Sequence, residues 1–212
     1  MKFKPVLRLA ALCSLLFCQL VLADTLPYYK SADFTPYWSP TPHELSRWHQ
    51  IPEFTFTDQH GAQITDESIT GKLYVASFFF SSCPGICPAI KSKLEAVQTA
   101  FSEQDNLFIL SHSIRPTVDT PAILKGYAAK HNIVSSRWHL LTGDRDYMYE
   151  IAKSAYFASE DLGETTGASQ FLHTENLLLI DQNRHIRGVY NGLSTSSVEH
   201  LIHDIELLLS SS

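Results

Sequence analysis

The distribution of apolar and polar positions along the chain predicts an α/β domain. Residues 73–80 and 107–113 are apolar almost throughout, which is the pattern of strands buried on both faces of a sheet. Between them, apolar residues recur at helical spacing. These residues are Ile90, Leu94, Val97 and Phe101. Strand and helix therefore alternate here, and open sheets of this kind bind ligands at the carboxyl ends of their strands.

Turn and capping signals extend this pattern. Residues 54–64 alternate around a glycine-bearing turn and predict a β-hairpin before the first long strand. A helix is predicted from Pro121 to about residue 131, because proline is favoured in the first helical turn. Its cap is either Asp119 or Thr120, since both side chains can accept a hydrogen bond from the first turn.

The second half of the chain ends in a hairpin and a helix. Residues 138–141 predict a short strand, residues 144–157 have helical spacing, and residues 158–170 are polar and predict a loop. Residues 177–181 and 186–190 flank a polar turn and predict the hairpin. The last helix has an apolar face of Val198, Leu201, Ile202, Ile205, Leu208 and Leu209. The order β-α-β-α-β-β-α, with an extra amino-terminal hairpin, matches a thioredoxin-like fold.

The amino terminus has the layout of a secretory signal peptide over residues 1–23. Three cationic residues precede an apolar run, and Val21-Leu22-Ala23 is a suitable cleavage site. An uncleaved anchor is the alternative, although the run is shorter than the roughly 20 residues that a spanning helix needs. In both cases we expect export to the periplasm, with attachment to the inner membrane only if the leader is retained. Lipoprotein processing is disfavoured, because Leu12 and Phe17 precede Cys13 and Cys18 where a small residue is needed.

Residues 24–48 predict a flexible arm ahead of a domain that spans residues 49–212. Four prolines in this arm prevent a long regular helix or a central strand. The arm also carries aromatic side chains that either contact a partner or fold back on the domain. They are Tyr28, Tyr29, Phe34, Tyr37 and Trp38.

Composition and charge narrow the range of partners. The 212 residues are 44% hydrophobic and 18% charged, as in ordinary globular proteins, and the net charge is −6 at pH 7. Cleavage of the leader removes cations only and makes the domain more acidic. The sequence has no cluster of Lys and Arg, so we expect no nucleic-acid binding and no attraction to anionic membranes. A small ligand or a protein partner is expected instead.

The candidate chemistry centres on Cys83 and Cys87, because Cys13 and Cys18 lie within the leader. The pair follows an apolar strand, and Pro88 marks the first turn of the next helix. Thiols at the amino end of a helix feel its positive dipole, which lowers their pKa and favours the thiolate. In an oxidising compartment such a pair is a structural disulfide, a redox couple or a metal site.

A third candidate ligand is His173, in the loop directly before residues 177–181. In this fold that loop lies beside the cysteine loop, so two thiolates and one imidazole converge. Such a set suits Cu(I), which accepts three ligands, whereas structural zinc takes four. Zinc with an open fourth position remains an alternative. A lone histidine is more often a hydrogen-bonded loop residue, so the prediction depends on the cysteines.

These motifs together resemble the Sco/SenC family, thioredoxin-like copper proteins that assist the assembly of cytochrome c oxidase. The resemblance covers residues 51–209. The segments that carry it are Ser82-Cys83-Pro-Gly-Ile-Cys87-Pro88, Asp119-Thr-Pro-Ala-Ile-Leu-Lys-Gly-Tyr127-Ala, Arg137-Trp-His-Leu-Leu-Thr-Gly143, and His173-Thr followed by Leu-Leu-Leu-Ile-Asp181.

The resemblance implies that Cys83, Cys87 and His173 bind copper, as Cu(I) with Cu(II) as a second state. It also implies a metallochaperone that delivers Cu(I) to the dicopper centre of oxidase subunit II, or to another exported copper protein. One departure is Arg115-Pro116, which stands where relatives usually have Asp-Pro followed by charged residues. A role of that acidic position in redox tuning or partner contact is therefore not transferred to this chain.

The main alternative function is a thiol–disulfide oxidoreductase that acts on exported proteins or on the cysteines of the oxidase copper site. Against a general reductase, three residues instead of two separate the cysteines, and residues 158–180 contain no proline where such enzymes place a cis-proline. A peroxiredoxin is disfavoured because Phe80 replaces the Thr or Ser that those enzymes need three residues before the cysteine. Enzymatic activity is left open and is not the preferred hypothesis.

The other histidines are expected to pack or to face solvent. His200 and His203 lie one turn apart on the last helix, where a shared metal is less common than simple solvation. His112, His139 and His185 lie on predicted strands or at their edges, where packing is the default.

Overall fold

The computed structural model describes residues 26–158 and 175–211. The predicted leader lies outside these ranges, as do His173 and most of the predicted loop at residues 158–170. Within the described part of the chain, no helix is long and apolar enough to cross a membrane.

The chain forms one small sheet and one large sheet. The small sheet is the predicted antiparallel hairpin, β1 (Thr55–Thr57) and β2 (Gln63–Thr65). The strands of the large sheet are β3 (Leu73–Phe79), β4 (Leu107–Ser113), β5 (Trp138–Leu141), β6 (Asn176–Ile180) and β7 (Ile186–Asn191). Their order across the sheet is β5-β4-β3-β6-β7.

The large sheet is mixed. β3 pairs in parallel with β4, and β4 in parallel with β5, because helical crossovers join them. β6 is antiparallel to both β3 and β7. Every residue of the central strand β3 is buried, as its continuous apolar run predicts. The carboxyl end of β3 is therefore supported by neighbours on both sides, and the cysteine loop begins there.

The helices are α1 (Pro42–Leu45), α2 (Cys87–Ala100), α3 (Pro121–Lys130), α4 (Arg145–Ser154) and α5 (Thr195–Ser210). A short 3₁₀ turn covers Glu67–Ile69. The order from β3 is β-α-β-α-β-α-β-β-α, so β5 and α4 are added to the predicted central order. Both had been expected individually, from the apolar run at residues 138–141 and the helical spacing that follows it.

Thr120 is the cap of α3, since its hydroxyl accepts a hydrogen bond from the Ile123 N–H at 3.4 Å. Of the two residues predicted for this role, Asp119 is thus not used as a cap. Its carboxylate is available for a longer-range contact at the cysteine loop.

The two faces of the large sheet are covered differently. On one face, Ile90 and Leu94 of α2 line a small cavity with Ser77 and Ser111 of the sheet. On the other face, the Phe56 ring of the hairpin lies 5.4 Å from that of His112 on β4. These contacts enclose the sheet in a continuous core.

Residues 26–48 fold back on the domain. Tyr28 and Tyr37 exchange backbone hydrogen bonds of 2.8 and 2.9 Å, and the Tyr29 N–H donates to the Ile186 carbonyl at 3.0 Å. Arg187 donates to the Leu26 carbonyl at 2.7 Å. Of the two roles left open for the aromatic residues, the structure shows packing on the domain for Tyr28, whose ring lies 5.6 Å from that of His185, and for Phe34, whose ring lies 6.1 Å from that of Phe157. Trp38 is 60% exposed. The arm also contains the one-turn helix α1, which the sequence did not predict.

Candidate metal centre

The loop between β3 and α2 carries both cysteines. Its first turn is closed by the Cys83 N–H, which donates to the Phe80 carbonyl at 3.2 Å. α2 begins at Cys87, and Pro88 lies in its first turn. The predicted arrangement of strand, loop and helix is therefore confirmed. Both cysteines are free thiols; Cys83 is partly exposed and Cys87 is buried.

The sulfur of Cys83 occupies the amino end of α2. Ile86, the residue before the helix, makes no capping hydrogen bond with its side chain. Instead, the backbone N–H groups of Gly85, Ile86 and Cys87 donate to the Cys83 sulfur, and so does the Cys87 thiol. Because these N–H groups have no partner within the helix, the sulfur takes the place of a capping oxygen. The two sulfurs are thereby brought together.

The two thiols differ in acidity. Partial burial raises the pKa of the Cys83 thiol, but the hydrogen bonds from the Cys87 thiol and the backbone outweigh it, and the pKa is lowered. Burial, followed by the hydrogen bond to Cys83, raises the pKa of Cys87 to about 12. The expectation that the helix lowers the pKa of both cysteines is right for Cys83 and wrong for Cys87, because Cys87 is desolvated in the core.

This inequality determines what the pair can do. Cys83 is the more acidic thiol and is accessible, so it supplies the thiolate that attacks a disulfide or takes up a soft metal. Cys87 holds its proton until a metal or a disulfide bond replaces it. The geometry is suited to both a metal site and a redox couple.

The buried carboxylate of Asp119 is hydrogen-bonded to the cysteine loop. It accepts hydrogen bonds from the Ser81 N–H at 3.1 Å, from the Ser81 hydroxyl at 2.5 Å and from the Ser113 hydroxyl at 2.6 Å. Ser81 lies two residues before Cys83, and Ser113 ends β4. The sequence did not predict these contacts; the available signal was a second capping residue directly before Thr120.

Arg115 also lies beside the cysteine loop. Its guanidinium donates to the Ser82 hydroxyl at 3.3 Å and lies 5.5 Å from the centroid of the Phe80 ring. The position that departs from the family pattern thus places a cation at the edge of the cysteine loop, where it contacts the Ser82 side chain.

Tyr127 on α3 completes the surroundings of the thiols. Its ring centroid lies 5.7 Å from that of Phe79. Burial, with the negative charge of the Cys87 and Cys83 thiolates, raises the pKa of Tyr127 to about 12. The phenol therefore stays protonated and neutral near the sulfurs. Its proximity to the pair follows from tertiary packing and was not predicted.

The remaining histidines do not join this site. His112 is buried between aromatic rings, His139 contacts the Asp58 carboxylate at 3.2 Å, and His185 contacts the His49 carbonyl at 2.9 Å. His200 and His203 are exposed on α5. Within residues 26–158 and 175–211, no three His, Cys, Asp or Glu side chains form a group that could hold a metal ion. His173 lies outside those residues, so the set of Cys83, Cys87 and His173 stays a prediction.

Comparison with known proteins identifies the family. The sequence profile of the family described as SCO1/SenC matches residues 43–210. The chain belongs to the SCO1/SenC family. It is 28% identical to the SCO1 protein homolog of Bacillus subtilis over 160 aligned residues, and the alignment covers 74% of this chain and 82% of that relative. It is also 26% identical over 146 residues to a putative copper-binding protein of Stutzerimonas stutzeri, covering 68% and 70% of the two chains.

Solved structures of SCO1/SenC proteins share the fold. A SCO1/SenC family lipoprotein of Bacillus anthracis is 29% identical, with a TM-score of 0.68 over 76% of this chain and 95% of the other. BsSco is 26% identical, with a TM-score of 0.65 over 76% of this chain and 93% of the other. It is described as having a disulfide switch and as a member of the Sco family of cytochrome c oxidase assembly proteins. Copper-bound ScoI of Bradyrhizobium japonicum is 24% identical, with a TM-score of 0.60 over 74% and 98%, and supports the fold. The predicted thioredoxin-like fold with an added hairpin is confirmed.

Proposed function

We propose that this SCO1/SenC protein is a copper metallochaperone that holds Cu(I) through Cys83, Cys87 and His173. The observation that carries the proposal is the pair of free thiols brought together at the amino end of α2, with Cys83 predisposed to the thiolate. Two soft sulfur ligands and an imidazole suit Cu(I) better than harder cations. The similarity to the Stutzerimonas stutzeri protein named as a putative copper-binding protein supports the same choice of metal.

The recipient in this proposal is the dicopper centre of cytochrome c oxidase subunit II, or another exported copper protein. The similarity to BsSco, from a family of oxidase assembly proteins, supports the oxidase. The predicted leader places the domain in the periplasm, free or anchored to the inner membrane. A partly exposed Cys83 suits transfer, because an incoming thiolate can replace one ligand while the buried Cys87 still holds the ion.

A thiol–disulfide oxidoreductase is the second candidate. The unequal acidity of Cys83 and Cys87 favours it, since one accessible thiolate attacks and one buried thiol then closes the disulfide. The disulfide switch described for BsSco is consistent with such chemistry. The two functions differ in their need for His173, because an imidazole contributes a metal ligand and no electrons to a dithiol.

Titration of the purified, reduced protein with Cu(I) against a competing chelator tests the metallochaperone. We expect one Cu(I) per chain, and most of the affinity lost after oxidation of Cys83 and Cys87 to a disulfide. His173→Ala should weaken binding strongly while thiol exchange continues, and the exposed His200→Ala should change neither. Undiminished binding by the oxidised protein would contradict the site.

Complementation separates the two candidate functions. In cells that lack the native protein, a metallochaperone with His173→Ala should fail to restore oxidase activity, as Cys83→Ala fails. An oxidoreductase with the same substitution keeps both sulfurs and should still work. Normal oxidase activity with a copper-free His173→Ala protein would therefore favour the oxidoreductase.

A further inference from the structure

Asp119 differs from the other buried aspartates in what its hydrogen bonds hold. Asp58 accepts from the N–H groups of residues 60 and 62 in its own turn and contacts the His139 ring at 3.2 Å. Asp181 accepts from the N–H groups of residues 183 and 185 in its own turn and pairs with Arg187. Asp119 instead accepts from Ser81 of the cysteine loop, 38 residues back along the chain, so its hydrogen bonds tie that loop to the start of α3 and do not close a turn.

The three hydrogen bonds of Asp119 join three elements at one point. Ser81 belongs to the cysteine loop, Ser113 ends β4, and Asp119 itself directly precedes α3. The carboxylate is 1% exposed, and within the described residues it forms no ion pair. Burial of a charge is costly unless hydrogen bonds compensate, so all three bonds contribute to keeping the carboxylate in place.

The bonds to Ser81 act on the backbone just before Cys83. The Ser81 N–H donates to one carboxylate oxygen and the Ser81 hydroxyl donates to the other. Together they fix the backbone direction and the side-chain orientation of Ser81. From Ser81, the turn closed by Cys83 and Phe80 leads directly to the first sulfur. The second sulfur is fixed independently, because Cys87 begins α2. The separation of the two sulfurs thus depends on how Ser81 is held.

We propose that Asp119 is a positioning residue that holds the Cys83 loop against β4 so that the Cys83 and Cys87 sulfurs stay within reach of one metal ion. The inference deepens the proposed function and rests on it for the identity of the ion. The required property is the set of hydrogen bonds and not the negative charge. An asparagine can reproduce all three, since its carbonyl accepts from the Ser81 N–H and the Ser113 hydroxyl while its amide donates to the Ser81 hydroxyl.

Three variants test the proposal: Asp119→Ala, Asp119→Asn and, as a matched control, Asp58→Ala. Asp58 is also a buried, hydrogen-bonded carboxylate, held by two backbone N–H groups and a contact with His139, but it lies in the hairpin turn away from the cysteines. Cu(I) affinity of the folded, reduced proteins should fall by about 10–100-fold in Asp119→Ala, the range typical for groups that orient metal ligands. Asp119→Asn should stay close to the wild type. Asp58→Ala should unfold more easily and bind Cu(I) normally.

A second readout needs no copper. The equilibrium between the Cys83–Cys87 dithiol and glutathione disulfide reports how well the two sulfurs are held together. The Cys83–Cys87 disulfide should become about tenfold less favoured in Asp119→Ala and should return to the wild-type level in Asp119→Asn. If the wild type bound no Cu(I), the proposed function would fail while this readout still tested the positioning role. Three results would overturn the inference: wild-type behaviour of Asp119→Ala, an equal loss in Asp58→Ala, or no recovery in Asp119→Asn.

Discussion

The large sheet has a cysteine end, where residues 80–87 meet residues 112–119, and an opposite turn end, formed by residues 181–185, which join β6 to β7, and by the start of β7. Pairing of Tyr74 with Ile180 places the turn end beside the start of β3, whereas Cys83 follows the finish of β3. The two ends treat their buried polar groups differently.

At the turn end, the buried groups are paired. Asp181 and Arg187 form an ion pair of 3.2 Å, and both are almost fully buried. Arg187 also donates to the carbonyls of Leu26 and Pro27, and its guanidinium lies 3.9 Å from the centroid of the Tyr28 ring. The arm and the sheet share these contacts, so the turn end stabilises the fold.

At the cysteine end, Asp119 is satisfied by hydrogen bonds, but other groups keep bonding capacity. Cys83 and Cys87 are free thiols, and His112 on β4 has a buried Nε2 with no hydrogen-bond partner, the one such side-chain nitrogen or oxygen within the described residues. An unpartnered buried polar group costs stability. Paired charges therefore stabilise the turn end, which carries no candidate chemistry. The cysteine end instead keeps groups that can still form bonds.

The strongest test of the turn end is Arg187→Ala. Removal of one partner leaves Asp181 buried without its cation, and we expect the free energy of unfolding to fall by about 3–5 kcal/mol in urea denaturation. Reactivity of Cys83 in the folded protein should not change. Arg145→Ala is the control, because Arg145 and Asp146 pair on the surface, and its effect should stay within about 1 kcal/mol. An equal effect of both substitutions would remove the distinction between the ends.

His112 tests the cost of the unpaired group at the cysteine end. Burial lowers the pKa of His112 to about 4, from an ordinary value of 6.5. Between these values the unfolded chain binds a proton that the folded chain excludes, so stability falls as the pH drops from about 7 to about 4, by on the order of 3 kcal/mol. His112→Phe should lose this component of the pH dependence, measured as unfolding free energy across that range. The exposed His200→Gln should retain it; a wild-type slope in His112→Phe would contradict the argument.

Alkylation rates sharpen the contrast within the cysteine end itself. Cys87→Ser leaves Cys83 alone, and Cys83→Ser leaves the buried Cys87. Only the thiolate attacks iodoacetamide, so at pH 7 we expect Cys83 to react at least about 100-fold faster than Cys87. The reaction rates are measured by mass spectrometry. Denatured samples of both variants should react at similar rates. Equal rates in the folded proteins would mean that the two thiols do not differ as the structure indicates.

Much of the fold could be predicted because its signals are local. The predicted bounds of β4 and β5 agree with the structure, since a short, mostly apolar run is typical of a strand buried on both faces of a sheet. The start of α3 was predicted to within a residue from Thr120 and Pro121. Helix caps and strand runs depend on neighbours a few positions away, and such neighbours are visible in the sequence.

The choice between equivalent local roles could not be predicted. Asp119 and Thr120 are both competent caps, and only the approach of Ser81 from another part of the chain assigns the carboxylate to the cysteine loop. The arm is similar: its prolines exclude a long helix, but its attachment depends on Arg187, far away in sequence.

The sequence by itself determined the order of strands and helices, the hairpin and the cysteine pair at the start of a helix, because apolar periodicity, caps and cysteine spacing are properties of short segments. The tertiary structure alone decided the inequality of the two thiols. Both cysteines lie near the same helix dipole, yet Cys87 is packed into the core and Cys83 accepts hydrogen bonds from the backbone. Desolvation and hydrogen bonding are set by what surrounds a sulfur in space, and that environment is assembled from residues distant along the chain.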